Sequence, residues 1–217
     1  MSKFTDGELR AALRLYAVSD DRNLKGRSLP GTVEMAIGGG ATMVQLRDKD
    51  PDRGFVTMRA RAVLLSCRAN HVPFIVNDDA KMAALVGADG VHLGQDDMPC
   101  EEARALLGPD AIIGVSAQTV EQALAAQEAG ADYLGVGAMI ATPTKPDAVL
   151  VSKETLRAIV DAVDIPVVAI GGLNAATVGE LKGTGIAGVA VVSALFAADD
   201  PRAAAEELDA LLDDVLA

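Results

Sequence analysis

The sequence predicts a single-domain α/β protein of (β/α)8 type, a closed TIM barrel, and three observations predict it. First, four glycine-led segments repeat: GATMVQLR from Gly40, GADGVHLG from Gly87, GADYLGVG from Gly130 and GIAGVAVV from Gly185, at intervals of 47, 43 and 55 residues. Each interval is about twice the length of a strand–helix unit, so the four segments are every second strand of an eight-unit series. Second, continuous apolar runs occupy the places between them, at 13–18, 72–76, 111–115 and 165–170. Such runs suit parallel strands buried on both faces. Third, the open doubly wound alternative calls for a glycine fingerprint after the first strand, whereas SDDRNLKG follows Val18.

In order, LRLYAV (13–18) is the first strand, and the second runs from Gly40 into QLRDK (45–49). Asp50 and Pro51 open a helix over 51–69. VPFIV (72–76) is the third strand, a helix starts near Ala80, and GADGVHLG holds the fourth. Pro99, Glu101 and Glu102 open 99–107 before the fifth strand, AIIGV. Thr119 with Gln122 makes a capping box for 119–129, ahead of the sixth strand in GADYLGVG. The connection 138–150 is the longest, and its ATPTKPD stretch (141–147) has the polar, proline-bearing chemistry of a substrate-gripping lid. Asn174 opens a helix after the seventh strand, and Asp200 with Pro201 opens the last one after the eighth.

Composition narrows the function. Half of the 217 residues are hydrophobic, and no linker-like stretch divides residues 1–217, so one domain is expected. A formal charge of -12 disfavours nucleic acid and anionic membranes, and the absence of Trp removes the usual base-stacking platforms. An anionic substrate therefore needs a local cluster of cations. The first residues lack an apolar signal core and no run approaches a membrane span, so cytoplasm is expected. Cys67 and Cys100 are isolated thiols of the kind that fill a core.

The strand ends carry the chemistry. Alternation puts Gln45, Arg47 and Lys49 on one side of the second strand's exit and Leu46 and Asp48 on the other. That doubly cationic stripe suits a polyanion, or else is a solvated strand end. Asp78 in NDD and Asp97 in HLGQDD end adjacent strands, as a magnesium ion requires, although either could serve as a helix N-cap. His92 reads as a hydrogen-bonded interior residue, and His71 lies at the wrong end of its strand for catalysis. Ser116 has no nucleophile-elbow context and reads as a hydrogen-bond donor. Gly171 and Gly172 after the seventh strand, with Val192 and Ser193 after the eighth, stand where barrels bind phosphate, or the glycines simply make a tight turn.

The motifs QLRDK, NDD, GADGVHLGQDDMP, GVSAQT, GVGAMIATPTKPDA and VVAIGGLN stand in the order and register of the thiamine phosphate synthase family, and from LYAVSD to VVSALF the chain resembles that family. The resemblance implies a Mg2+-dependent transferase that joins hydroxymethylpyrimidine diphosphate to a thiazole phosphate, with or without a carboxylate, and releases pyrophosphate. By motif, Gln45, Arg47, Lys49, Asn77, Ser116 and Lys145 would hold the pyrimidine diphosphate, with Arg47, Lys49, Ser116 and Lys145 as the catalytic groups among them. Asp78 and Asp97 would bind magnesium. Thr142, Thr144, Gly172, Val192 and Ser193 would hold the thiazole phosphate. Two other readings share parts of this set: a thiazole tautomerase-like barrel and a non-catalytic thiamine-precursor sensor. The chain departs from the family pattern at Asp79, at Gln118 and Thr119, at Ala138, Ile140 and Ala141 before the lid, and near Ser152 after it. The small-molecule substrates are the expected partners, and the sequence leaves open whether the protein forms a homo-oligomer.

Overall fold

The computed structural model describes residues 4–20, 24–142 and 149–217. Eight strands, β1 (Leu15–Val18), β2 (Met43–Leu46), β3 (Phe74–Asn77), β4 (Gly90–Leu93), β5 (Ile112–Ala117), β6 (Tyr133–Val136), β7 (Val167–Ile170) and β8 (Gly188–Val191), form one closed parallel barrel in chain order. β8 pairs with β1, Tyr16 lying beside Ala190, so the sheet has no free edge and the doubly wound alternative is excluded. Strand alternation sorts the core into two. Leu15, Ala17, Val44, Leu46, Phe74 and Val76 face outward onto the helices. Tyr16, Met43, Ile75, Ile112, Tyr133, Val168 and Ala190 fill the barrel.

The glycine-led repeat proves to be a device for fastening strands. Gly87 and Gly130 follow α4 (Ala80–Val86) and α6 (Val120–Glu128) in the left-handed conformation, with φ of 71° and 86°. Two residues on, Asp89 accepts a hydrogen bond from Phe74 N–H at 3.0 Å and Asp132 one from Ile113 N–H at 2.7 Å. Thr42 holds the equivalent place in the first repeat and accepts from Leu15 N–H at 2.9 Å. Each side chain ties the start of its own strand to the preceding one and satisfies a main-chain donor at the barrel's end. Ala187, in the fourth repeat, has no group to do so.

Several helix starts differ from expectation. An extra helix, α1 (Asp6–Ala12), precedes β1, and Leu9, Ala12 and Leu13 join the barrel's interior cluster, so it stoppers the amino end. Its signal is a capping box: Thr5 N–H donates to Glu8 Oε2 at 2.8 Å and Glu8 N–H to Thr5 Oγ1 at 3.3 Å. After β1 comes α2 (Leu29–Gly38), capped by Ser28. α3 (Arg53–Ala69) starts later than residue 51, because Asp52 is the cap, accepting from Gly54 and Phe55 N–H. Asp50 instead pairs with Arg59. Pro99 does precede α5 (Cys100–Leu107). Thr119 caps α6, but Gln122 Oε1 accepts from Gln118 N–H at 2.8 Å rather than from Thr119, so the box is displaced by one residue.

After β6 the chain continues through α7 (Lys153–Ala162), capped by Ser152. Asn174 opens only a turn and the 3-10 helix Val178–Leu181, since Gly183 and Gly185, both at positive φ, end it at once. A four-residue α8 (Ser193–Phe196) intervenes before α9 (Pro201–Val215), which Asp200 caps as expected. Cys67 and Cys100 are buried, and burial pushes the Cys67 thiol up to about 12, which fits a packing role.

Candidate active site

A cavity of about 610 Å³ opens at the carboxyl ends of the strands, and Gln45, Arg47, Lys49, Asn77, Asp78, Asp97, Ser116, Thr142, Gly172, Val192 and Ser193 all line it. These residues come from the ends of seven strands or the loops after them, so the closed barrel alone makes them neighbours. Thr144 and Lys145 lie outside the described residues, as does most of the ATPTKPD stretch, so the lid expected there is not described.

Beyond β2 the expected alternation holds. Gln45, Arg47 and Lys49 turn into the cavity, while Leu46 is buried against the helices and Asp48 pairs with Arg59 of α3 at 2.8 Å. Arg59 also lies over the Phe55 ring, 4.1 Å from its centroid, which fixes the outer side of the exit. Buried Ser19 fastens the inner side: its N–H donates to Gln45 O at 2.8 Å, and its hydroxyl accepts from Arg47 N–H at 3.0 Å. Lys49 Nζ stands 2.5 Å from Asp78 Oδ2.

Neither candidate metal carboxylate is a helix cap. Asp79, not Asp78, caps α4, accepting from Met82 N–H at 2.8 Å, and Pro99 holds the N-cap place of α5. Asp78 instead adopts a φ of 65°, a conformation Asp tolerates better than most residues, and its N–H donates to His92 O at 2.7 Å across the β3–β4 seam. Asp97 accepts from Gly94 N–H at 2.6 Å, closing the HLGQDD turn so that its carboxylate faces that of Asp78. Burial, and then the neighbouring Asp78, raise the Asp97 pKa from its ordinary value.

On the opposite wall, Gly171 and Gly172 have φ of 100° and 71°. A Cβ on Gly171 would come within 2.6 Å of the Ala138 Cβ, and one on Gly172 within 2.6 Å of the Ile140 Cβ. The pair is thus demanded both by backbone conformation and by the strand-like segment beside it. Met139 N–H donates to Ile170 O and Ile140 N–H to Gly171 O, each at 3.0 Å. Ala138 also exchanges main-chain hydrogen bonds with Val149 (3.1 Å) and Val151 (2.8 Å), which clamps together the two feet of the 138–150 connection. The departures at Ala138 and Ile140 therefore sit under the glycine pair. Val192 and Ser193 line the cavity where β8 passes into α8, at whose start Leu195 and Phe196 N–H both donate to Val192 O, at 3.1 and 3.0 Å.

The cavity floor carries a polar chain that strand-end motifs did not reveal. Gln45 Nε2 donates to Tyr16 Oη at 2.8 Å, Tyr16 Oη lies 2.9 Å from Tyr133 Oη, and Tyr133 Oη lies 3.0 Å from His92 Nδ1. His92 Nε2 in turn is 3.0 Å from Ser116 Oγ. Ser116 O accepts from Gln95 Nε2 at 2.6 Å, which adds Gln95 to the wall. Although the His92 ring edges onto the cavity, enclosure pushes its pKa down to about 4 against the opposing charge of Asp78, so the imidazole is neutral at pH 7. Burial raises both tyrosines. The available signal was composition: the chain has only two tyrosines, and both fall in strand segments.

Residues 15–195 match the family described as thiamine monophosphate synthase. The thiamine-phosphate synthase of Ruminiclostridium cellulolyticum is 48% identical over 194 residues, covering 89% of this chain and 92% of that protein. The one from Chloroflexus aurantiacus is 48% identical over 200 residues, covering 92% of each. Among solved structures, thiamine phosphate pyrophosphorylase from Pyrococcus furiosus superposes with a TM-score of 0.88 at 41% identity, over 96% of this chain and all of that one. With the closed barrel in keeping with the superposed structure, the chain belongs to the thiamine monophosphate synthase family of enzymes.

Proposed function

We propose that the cavity joins a 4-amino-2-methyl-5-(diphosphooxymethyl)pyrimidine to a thiazole phosphate, giving thiamine phosphate and pyrophosphate. The observation that carries this reading is that one cavity has two unlike halves. Arg47, Lys49, Asn77, Asp78 and Asp97 line one side, and Gly172, Val192 and Ser193 line the other. The first half suits a diphosphate with its metal ion, and the second suits a single phosphate held by main-chain N–H groups.

Asp78 and Asp97 fit magnesium: they offer oxygen donors only, face each other, and cap no helix. Among the described residues no third His, Cys, Asp or Glu joins them, and two carboxylates are what magnesium uses when waters and phosphate oxygens complete its shell. A bound magnesium ion would offset charge on the diphosphate oxygens.

The reaction breaks the bond between the exocyclic pyrimidine carbon and the diphosphate oxygen, with the electron pair leaving on pyrophosphate. Arg47 and Lys49 stabilise that growing charge, and Lys145, assigned by motif, would add to them. The carbon left behind is a benzylic-type cation on an electron-rich ring, and the thiazole nitrogen donates its lone pair to form the C–N bond. No proton need be removed in that step, consistent with a floor whose histidine is kept neutral by burial. Gln45 and Ser116 hold the pyrimidine, and Thr142, Thr144, Gly172, Val192 and Ser193 hold the thiazole phosphate.

Incubation with both substrates and magnesium, followed by a pyrophosphate assay, tests the reading. Stoichiometric pyrophosphate and thiamine phosphate are expected. Binding of both substrates without release of pyrophosphate would replace a synthase with a sensor.

A further inference from the structure

The five-residue chain on the cavity floor has a direction. Gln45 donates its amide hydrogen to Tyr16, so the single proton of Tyr16 is free to go to Tyr133 and that of Tyr133 to His92 Nδ1. An imidazole that accepts at Nδ1 carries its hydrogen on Nε2 and donates it to Ser116 Oγ. The Ser116 hydrogen must then point away from His92. Gln45 lines the cavity with its amide nitrogen engaged at the floor, which leaves its carbonyl oxygen for a ligand.

The barrel is built around this chain. A Cβ on Gly114 would lie 2.1 Å from Tyr133 Cζ and 2.5 Å from His92 Nδ1, on top of the bond between them, and one on Gly135 would lie 2.9 Å from His92 Cε1. Two strands thus give up a side chain where the relay passes. The two tyrosine rings meet edge to face with centroids 6.0 Å apart, and Tyr133 is fully buried, so the hydroxyls have no water to turn to.

We propose that Tyr16, Tyr133 and His92 are positioning residues that fix the hydrogen-bond polarity of the floor, so that it selects a 4-aminopyrimidine ring over its 4-oxo counterpart. The inference rests on the proposed use of this cavity for a pyrimidinylmethyl diphosphate. An exocyclic amine donates to the Gln45 carbonyl and a ring nitrogen accepts from the Ser116 hydroxyl. An oxo group brings an acceptor to the Gln45 carbonyl, and no link in the chain can reverse without reversing all of them.

Two measurements test it without turnover. Histidine 15N NMR of the wild-type protein near pH 7 should show His92 as the Nε2–H tautomer, and Tyr133→Phe should give a mixture of tautomers. Calorimetry with 4-amino- and 4-oxo-5-(phosphooxymethyl)pyrimidine should show a preference for the amine of at least about a hundredfold. Tyr133→Phe should cut that preference by about tenfold or more, while affinity for the thiazole phosphate stays within about twofold. Tyr16→Phe breaks the same relay one link earlier and serves if the first variant does not fold. An Nδ1–H tautomer in the wild type, or an unchanged preference in a folded variant, overturns the relay. If neither pyrimidine binds while the tautomer is as expected, the functional reading fails and the selectivity falls with it, but the fixed polarity stands.

Discussion

The two ends of the barrel use the same residue types to opposite ends. At the amino end, Asp132 meets Arg104 Nη2 at 2.6 Å and Ile113 N–H at 2.7 Å, and Arg104 also donates to the carbonyls of Gly108, Ala111 and Gly130. Both charges of this pair have internal partners. At the carboxyl end, Asp97 faces another carboxylate, and its pKa rises. Of the cations beside it, Lys49 pairs with Asp78, and both it and Arg47 line the cavity. The lesson is that charge balance closed within the protein holds a fold together, whereas charge balance left to be completed from outside makes a site.

That contrast breaks most visibly by mutation at the open end. Asp78→Asn and Asp97→Asn should each lower kcat/KM by about a hundredfold or more and raise the magnesium concentration needed, with little change in thermal midpoint. Metal titrations of activity beside melting curves check this. Loss of stability with unaltered metal dependence would return both residues to a purely structural role.

The pH dependence of stability sharpens the comparison next. His92 titrates near 4 when folded and near 6.5 when unfolded, so below about 6.5 the unfolded chain takes up a proton that the folded one refuses. Its contribution is therefore intact above about pH 6.5, is lost as pH falls toward 4, and levels off below that. The difference corresponds to at most about 3 kcal/mol. Urea unfolding between pH 7 and pH 4 should show the decline, and His92→Gln should flatten it.

At the closed end, Asp132→Ala should cost about 2 kcal/mol by stranding Arg104 and the Ile113 N–H, while the folded fraction keeps its kcat/KM. A fall in activity without a fall in stability would undo the assignment of this end to the scaffold. The smallest effect is expected from Thr42→Val, which removes one acceptor from Leu15 N–H and should cost about 1 kcal/mol by chemical denaturation.

Much of this was legible beforehand because barrel units are local. A strand that must be buried on both faces is an apolar run, a left-handed turn calls for glycine, and an N-cap calls for a short acceptor, so GADGVHLG, AIIGV or Asp200 with Pro201 can be read without neighbours. Alternation likewise told the inner face of QLRDK from the outer one. Adjacent carboxylates gave no such answer. Whether Asp78 or Asp79 caps α4 depends on a backbone angle at Asp78 that is held by a hydrogen bond to His92 on the next strand. Glycine at 114 and 135 reads as mere strand weakness until Tyr133 and His92 are seen to occupy the missing volume.

By itself, then, the sequence determined the order of the eight strands, the closed ring they form, and the strand-end residues that meet at its mouth, because each follows from periodicity and local backbone chemistry. Only the tertiary structure decided that Asp97 faces Asp78, that α1 stoppers the barrel, and that Gln45, Tyr16, Tyr133, His92 and Ser116 form one hydrogen-bonded chain. Those arrangements join residues as many as 117 positions apart, and a hydrogen bond depends on where two atoms lie in space rather than on their separation along the chain.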